Sequence, residues 1–188
     1  MAISAGQVKE LRELTGAGIM ECKRALEEAG GNIERAGDIL KRQGLAKAEK
    51  KAGRAASQGV VEPYIHAGGR IGAIVEVNCE TDFVARTSDF RSLAHDLAMQ
   101  VAATSPRYVS EEEIPADELP GLEREFGDRR RALEAVSLLD QAFIKDPKFS
   151  IREVVKSQIG KLGENIVVRR FARFEVGADG AAVDGNEE

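Results

Sequence analysis

An acid and an aromatic ring stand side by side in the segment Asn78-Cys79-Glu80-Thr81-Asp82-Phe83-Val84-Ala85-Arg86. The apolar run Ile71 to Val77 precedes the pair and reads as a strand, and a segment of helical period begins near Ser88. Asp82 and Phe83 therefore fall at a strand-to-helix corner. Neighbouring side chains diverge there, so both cannot enter one core. A carboxylate in that place can compete for the oxygen shell of a hard cation, and the ring can act as a wedge. Such chemistry suits intrusion into another protein's site better than turnover of a substrate. A plainer reading stands beside it: Asp82 caps the next helix and Phe83 staples into the core.

Motifs for catalysis are missing from the rest of the chain. Gly16-Ala17-Gly18 follows a helix rather than a strand and lacks a third glycine, so it is no phosphate cradle. The sequence contains no P-loop, no G-x-S-x-G elbow and no H-E-x-x-H pair. His66 and His95 are the only imidazoles. His95 lies on the predicted 88–104 helix as a solvated or core-edge residue. His66 sits at the mouth of a hairpin, either as an ordinary turn residue or as a contact for a partner. Cys22 and Cys79 are far apart and read as small buried hydrophobes, with no metal or redox role assigned.

The elements that must position the corner follow from periodicity. Residues 1–45 read as three short helices. Val8, Leu11 and Leu14 share the first apolar face, with Ser4 as N-cap. Ile19, Cys22, Ala25, Leu26 and Ala29 form the second face. Ile33, Ala36, Ile39 and Leu40 form the third, which Gly44 is expected to close. Three short helices with glycine-rich turns resemble a ubiquitin-associated-like bundle, its exposed edge at Thr15 to Met20. Residues 46–58 read as a solvated linker helix. From Gly59 the period changes. Val60 to Ile65 and Ile71 to Val77 make a hairpin across His66 to Arg70, and Phe90 to Ala102 line one face of a helix that Ser105-Pro106 stops. Residues 121–136 are helix-prone and highly charged, and 137–147 are expected to be extended or looped. Ser150 to Glu153 is a capping box, and Asn165 to Val176 a final strand. The predicted class is α+β: the bundle, then an antiparallel sheet with helices over residues 59–177. An acidic, disordered tail is expected at 178–188.

Composition narrows the function further. With 43% apolar and 31% charged residues, the 188-residue chain has the make-up of a globular protein. No apolar run approaches the ~20 residues of a membrane span, and no secretory signal is visible, so the cytoplasm is the expected compartment. The net charge of −5 is uneven. Residues 1–57 carry 11 Lys and Arg against 8 Asp and Glu, and the remainder 16 against 24. A basic module on an acidic body argues against a general nucleic-acid binder, whose footprint would be a large basic field.

Three separated blocks resemble the bacterial elongation factor Ts family. Val8 to Leu26 carries Thr15-Gly16-Ala17-Gly18-Ile19-Met20. Glu76 to Ala85 carries the corner, and Lys161 to Arg170 carries Leu162-Gly163-Glu164-Asn165. The resemblance implies a guanine-nucleotide exchange factor for elongation factor Tu, with no active site or cofactor of its own; it acts on the Mg-GDP held by its partner. It also implies that Thr81, Asp82, Phe83 and Val84 form the tip that disturbs the Mg²⁺ site. Arg12, Ile19, Met20, His66, Leu162 and Gly163 match further contact positions. The chain is short beside two-lobed members, which makes a homodimer the expected form. Its 121–138 stretch is abbreviated, with Gly127 to Arg131 near the usual Glu-Gly-Arg element, and Ala142 replaces a usual Pro before Phe143.

Two other readings remain at this level. One is a binding module for a ubiquitin-like or nascent-chain partner, joined to a dimerisation domain. The other is an RNA- or ribosome-associated protein reading through Lys41 to Arg54, which predicts steep salt dependence.

Overall fold

The computed structural model describes residues 3–178, so the expected tail lies outside the described residues from position 179 onward. The chain divides into two compact units. The first comprises Met1–Gly59, Asn78–Phe90 and Arg152–Val167, and the second Val60–Val77, Arg91–Ile151 and Val168–Glu188.

In the first unit, α1 (Ala5–Thr15), α2 (Ile19–Glu28) and α3 (Ile33–Glu49) form the bundle. Each start has a local cause. Ser4 and Gln7 make a reciprocal capping box, Glu21 reaches back to the Gly18 amide, and Asn32 accepts from Arg35 N. Leu11, Cys22, Ala25, Leu26, Ala29, Ala36, Ile39 and Leu40 form the bundle core. Leu14, expected on the inner face of α1, is instead 70% exposed, and Ile19 is 57% exposed. The core is filled by the other faces, and Leu11 alone is fully buried in α1.

Gly44 does not end α3, which runs on to Glu49 and takes in the first residues of the expected linker helix. The reason is packing. A Cβ on Gly160 would lie 3.0 Å from Gly44 Cα, so Gly44 is a point of close helix approach to α8 (Ile151–Leu162). Lys41–Glu153 and Lys156–Glu49 ion pairs flank that crossing, at 3.2 and 3.8 Å.

The sheet has the order β1-β2-β5, from β1 (Gln58–Ile65), β2 (Ile71–Cys79) and β5 (Ile166–Glu175). His66 N donates to Ile71 O at the hairpin and Val176 N to Arg70 O at the far edge, as an antiparallel arrangement requires. Alternation along β2 buries Ala73, Val75 and Val77. Within α5 (Ser88–Thr104), Leu93, Leu97 and Val101 are buried to match. The α+β class expected from the sequence is the observed one.

The stretch 121–136, read as helix-prone, lies in two helices, α6 (Leu119–Phe126) and α7 (Arg129–Val136). Gly127 breaks them at φ 98°, and Asp128 caps the second by accepting from Arg131 N. This abbreviated region keeps a core of its own, built on Ile114, Leu122, Ala132 and Val136. The segment read as extended or looped contains a small antiparallel pair, β3 (Ala142–Phe143) and β4 (Asp146–Ser150). Buried Gln100 organises it: its Nε2 donates to Ala142 O and Gln141 Oε1, and its Oε1 accepts from Ile144 N at 2.9 Å.

Candidate partner-contact site

Strand β2 ends at Cys79, whose side chain is fully buried. Burial pushes its thiol pKa up, and the charge of Glu164 adds to the shift. The thiol therefore stays protonated and donates to Thr81 O at 3.1 Å. The chain then makes a single helical turn, α4 (Asp82–Ala85). Thr81, not Asp82, is the N-cap: its backbone is extended and its hydroxyl accepts from Val84 N. Asp82 takes the first helical position, where the helix dipole favours an acid.

Ala85 anchors the turn inward at 5% exposure. Phe83 points the other way and is 79% exposed, so it is no core staple. The Asp82 carboxylate, about half exposed, pairs with Arg86 Nη2 at 2.7 Å. The corner thus offers a bare ring and a carboxylate held by one exposed guanidinium. Covering such a ring completely contributes roughly 1.5–3 kcal/mol to an association.

The corner is cross-bonded to the chain that follows α8. Glu164 Oε2 accepts from Thr81 N at 2.9 Å and its Oε1 from Thr81 Oγ1 at 2.7 Å. In return, Glu80 Oε1 accepts from Asn165 N at 2.7 Å. Asn165 is buried, and its Nδ2 donates to Arg54 O and Ala52 O. The segment expected to be a solvated linker is therefore tied down by its carbonyls after α3 ends. Sequence reading recognised Glu164 and Asn165 only as part of a similar block. Nothing in their spacing could show that they face Glu80 and Thr81.

The remaining expected contacts divide between the units. Arg12, Ile19 and Met20 all lie in the first unit with the corner, and Met20 is 60% exposed. Leu14, Ile19 and Met20 make an apolar edge around the Gly16–Gly18 loop. Beside it, Gly16 at φ 67° closely approaches the Lys161 side chain, and Lys161 Nζ pairs with Asp89 at 2.8 Å. Leu162 is half-buried, and Gly163 adopts φ 80° with its carbonyl bonded by Lys51 Nζ. Val84 is half-buried. His66 belongs to the second unit, where it is exposed and its Nδ1 lies 3.2 Å from Tyr64 Oη. Among the described residues, no group of three His, Cys, Asp or Glu could hold a metal ion, and no helix is long and apolar enough to cross a membrane.

These features define an α+β protein that carries an acid and an aromatic ring on a braced, solvent-facing corner. Residues 45–128 match the family model described as elongation factor TS. A protein named elongation factor Ts from Syntrophomonas wolfei is 53% identical, over 93% of this chain and 91% of its own length. Namesakes from Carboxydothermus hydrogenoformans and Herpetosiphon aurantiacus are each 50% identical, and the match takes in 89% and 100% of their lengths. The chain belongs to the elongation factor Ts family.

Proposed function

We propose that this translation elongation factor is a guanine-nucleotide exchange factor that binds elongation factor Tu in its GDP form and speeds GDP release. The observation that carries the reading is the corner itself, a ring 79% exposed beside a half-exposed carboxylate. On this reading Thr81, Asp82, Phe83 and Val84 form the tip that enters beside the partner's nucleotide. Phe83 wedges apart the elements that hold Mg²⁺, and Asp82 competes for the cation's shell. The phosphates lose charge neutralisation and GDP leaves sooner. A 10³-fold faster release needs the barrier lowered by only ~4 kcal/mol. Weakened contacts to a divalent ion in a partly desolvated site are of that order. Reciprocity requires that GDP weaken binding of the factor by the same factor.

Arg12, Ile19 and Met20 grip the partner from the bundle, supported by the exposed apolar edge there. His66, Leu162 and Gly163 are further contact positions. The factor performs no bond chemistry and holds no cofactor, and the Mg²⁺ and GDP are its partner's. It works in the cytoplasm, where translation occurs, without a membrane or a specific nucleic acid as partner. A homodimer is supported by the exposed Val61, Ile65, Phe174 and Val176 of the second unit; light scattering that returns the monomer mass at micromolar concentration excludes it.

The test of the main reading is release of fluorescent GDP from elongation factor Tu, with wild type and with the Asp82→Ala/Phe83→Ala double variant. Wild type should accelerate release by orders of magnitude and the double variant should not. A wild type that leaves release unchanged sinks the proposal.

A further inference from the structure

The geometry points to Glu164 as the positioning residue of the Asp82–Phe83 tip, an assignment that rests on the exchange reading above. The turn α4 is only Asp82–Ala85. A single turn lies far below the ~12–15 residues at which an isolated helix is even marginally stable in water. Its orientation must come from outside, and the described bonds to its N-cap show the source. Thr81 N and Thr81 Oγ1 both donate to the one carboxylate of Glu164, at 2.9 and 2.7 Å. Because the hydroxyl hydrogen goes to Glu164, a lone pair of Thr81 Oγ1 is left to accept from Val84 N at 3.4 Å. The carboxylate thus fixes the hydroxyl that caps the turn.

The opposite strand of this cross-bond does the same for Glu164. Glu80 Oε1 holds Asn165 N at 2.7 Å, and buried Asn165 holds Arg54 O at 2.8 Å. Charge-assisted bonds to backbone amides are the strong kind, so each carboxylate secures the other's base. Gly163 delivers Glu164 to this place by turning the chain at φ 80°, a conformation other residues rarely adopt. Phe83 is 79% exposed, so packing does little to set its direction. The direction of the ring is inherited from Thr81, and through Thr81 from Glu164.

The test compares wild type with Glu164→Gln, Thr81→Val and Thr81→Ser in two measurements. Glu164→Gln keeps the shape but turns an amide donor towards one of the two Thr81 donors. In titrations of GDP release against factor concentration, Glu164→Gln should lower the maximal rate by roughly tenfold or more, as expected for a misplaced group. The half-saturating concentration should stay within about twofold, since the carboxylate does not grip the partner. Thr81→Ser keeps both donors and should keep the wild-type amide protection at Val84, whereas Thr81→Val should lose it. In the free protein, amide hydrogen exchange at Thr81 and Val84 should accelerate in Glu164→Gln.

A lowered melting temperature with unchanged maximal rate and unchanged amide protection would overturn the assignment, leaving Glu164 a stabilising residue only. A raised half-saturating concentration with an unchanged maximal rate also overturns it, because Glu164 then touches the partner. If wild type itself fails to speed GDP release, the exchange reading falls, and the amide-exchange comparison alone decides whether Glu164 orders the tip.

Discussion

Gly44 and Gly160 meet backbone to backbone: a Cβ placed on Gly160 would sit 3.0 Å from Gly44 Cα and 3.3 Å from Gly44 O. Neither neighbour is a flexible side-chain end, so neither can move aside cheaply. Gly160→Ala should therefore destabilise the protein by about 1–3 kcal/mol, the usual cost of overpacking. Gly37 supplies the contrast, for it also lies in a helix but has nothing within 4 Å of its would-be Cβ. Gly37→Ala should stabilise by up to ~1 kcal/mol through helix propensity. Thermal melts of the two variants should move in opposite directions, and a shared direction would refute the close-approach account.

Phe83→Ala should separate function from folding. The ring is 79% exposed, so its loss should change stability by less than ~0.5 kcal/mol. Leu26→Ala, in the bundle core, should cost about 2–5 kcal/mol. Urea unfolding measures both, and GDP release should be slowed in Phe83→Ala despite its native stability.

The Asp82–Arg86 pair is too exposed to hold the fold. Its side chains are 46% and 75% exposed, and such i,i+4 pairs contribute about 0.3–0.5 kcal/mol. Asp82→Asn removes the charge and keeps the shape. Its melting temperature should match wild type within a degree or two, while GDP release from elongation factor Tu should slow. An unchanged rate would assign the work of the tip to Phe83 alone.

Acid should loosen the bundle through Glu21. Its carboxyl pKa is held below the ordinary 4.5, first by the hydrogen bond from Lys47, with help from the Gly18 amide. A folded-state value below the unfolded one means the contribution is present above pH 4.5 and is lost as pH falls through the depressed value. Cys79 has the opposite sign. Burial raises its pKa above 9.0, so its contribution holds below pH 9.0 and fades as pH rises through the folded value. Melting curves from pH 7 to pH 3 should fall more for wild type than for Glu21→Gln, and an equal fall would contradict the assignment.

Gln100 anchors the β3–β4 pair from within the core. Gln100→Ala removes the bonds to Ile144 N and the Ala142 carbonyl, both part-buried, which should cost roughly 0.5–1.5 kcal/mol for each bond lost. Guanidinium unfolding of the variant measures it, and hydrogen exchange should rise at Ile144 first.

Much of the chain was legible from local rules. Val75 and Val77 alternate with solvent-facing neighbours, Leu93, Leu97 and Val101 recur at helical spacing, and the Ser150–Glu153 box marks the start of α8 where the structure begins it. Period and capping act within a few residues, so they can be read without a fold. Gly44 was misread for the same reason. A glycine looks alike in sequence whether it stops a helix or admits another one, and only Gly160 across the contact decides. Leu14 likewise fits an inner face by spacing, yet stands 70% exposed because the other bundle faces fill the core.

The sequence by itself determined the α+β class, the family and the position of the Asp82–Phe83 corner, because periodicity and a run of residue types are properties of adjacent positions. Tertiary structure alone decided which of the two would be bare, which residue would cap the turn and what would hold it. Thr81 and Glu164 lie 83 positions apart, and no local preference links residues at that distance. Their bonds exist because α8 and its Gly163 turn bring a carboxylate to the two donors that the corner leaves open.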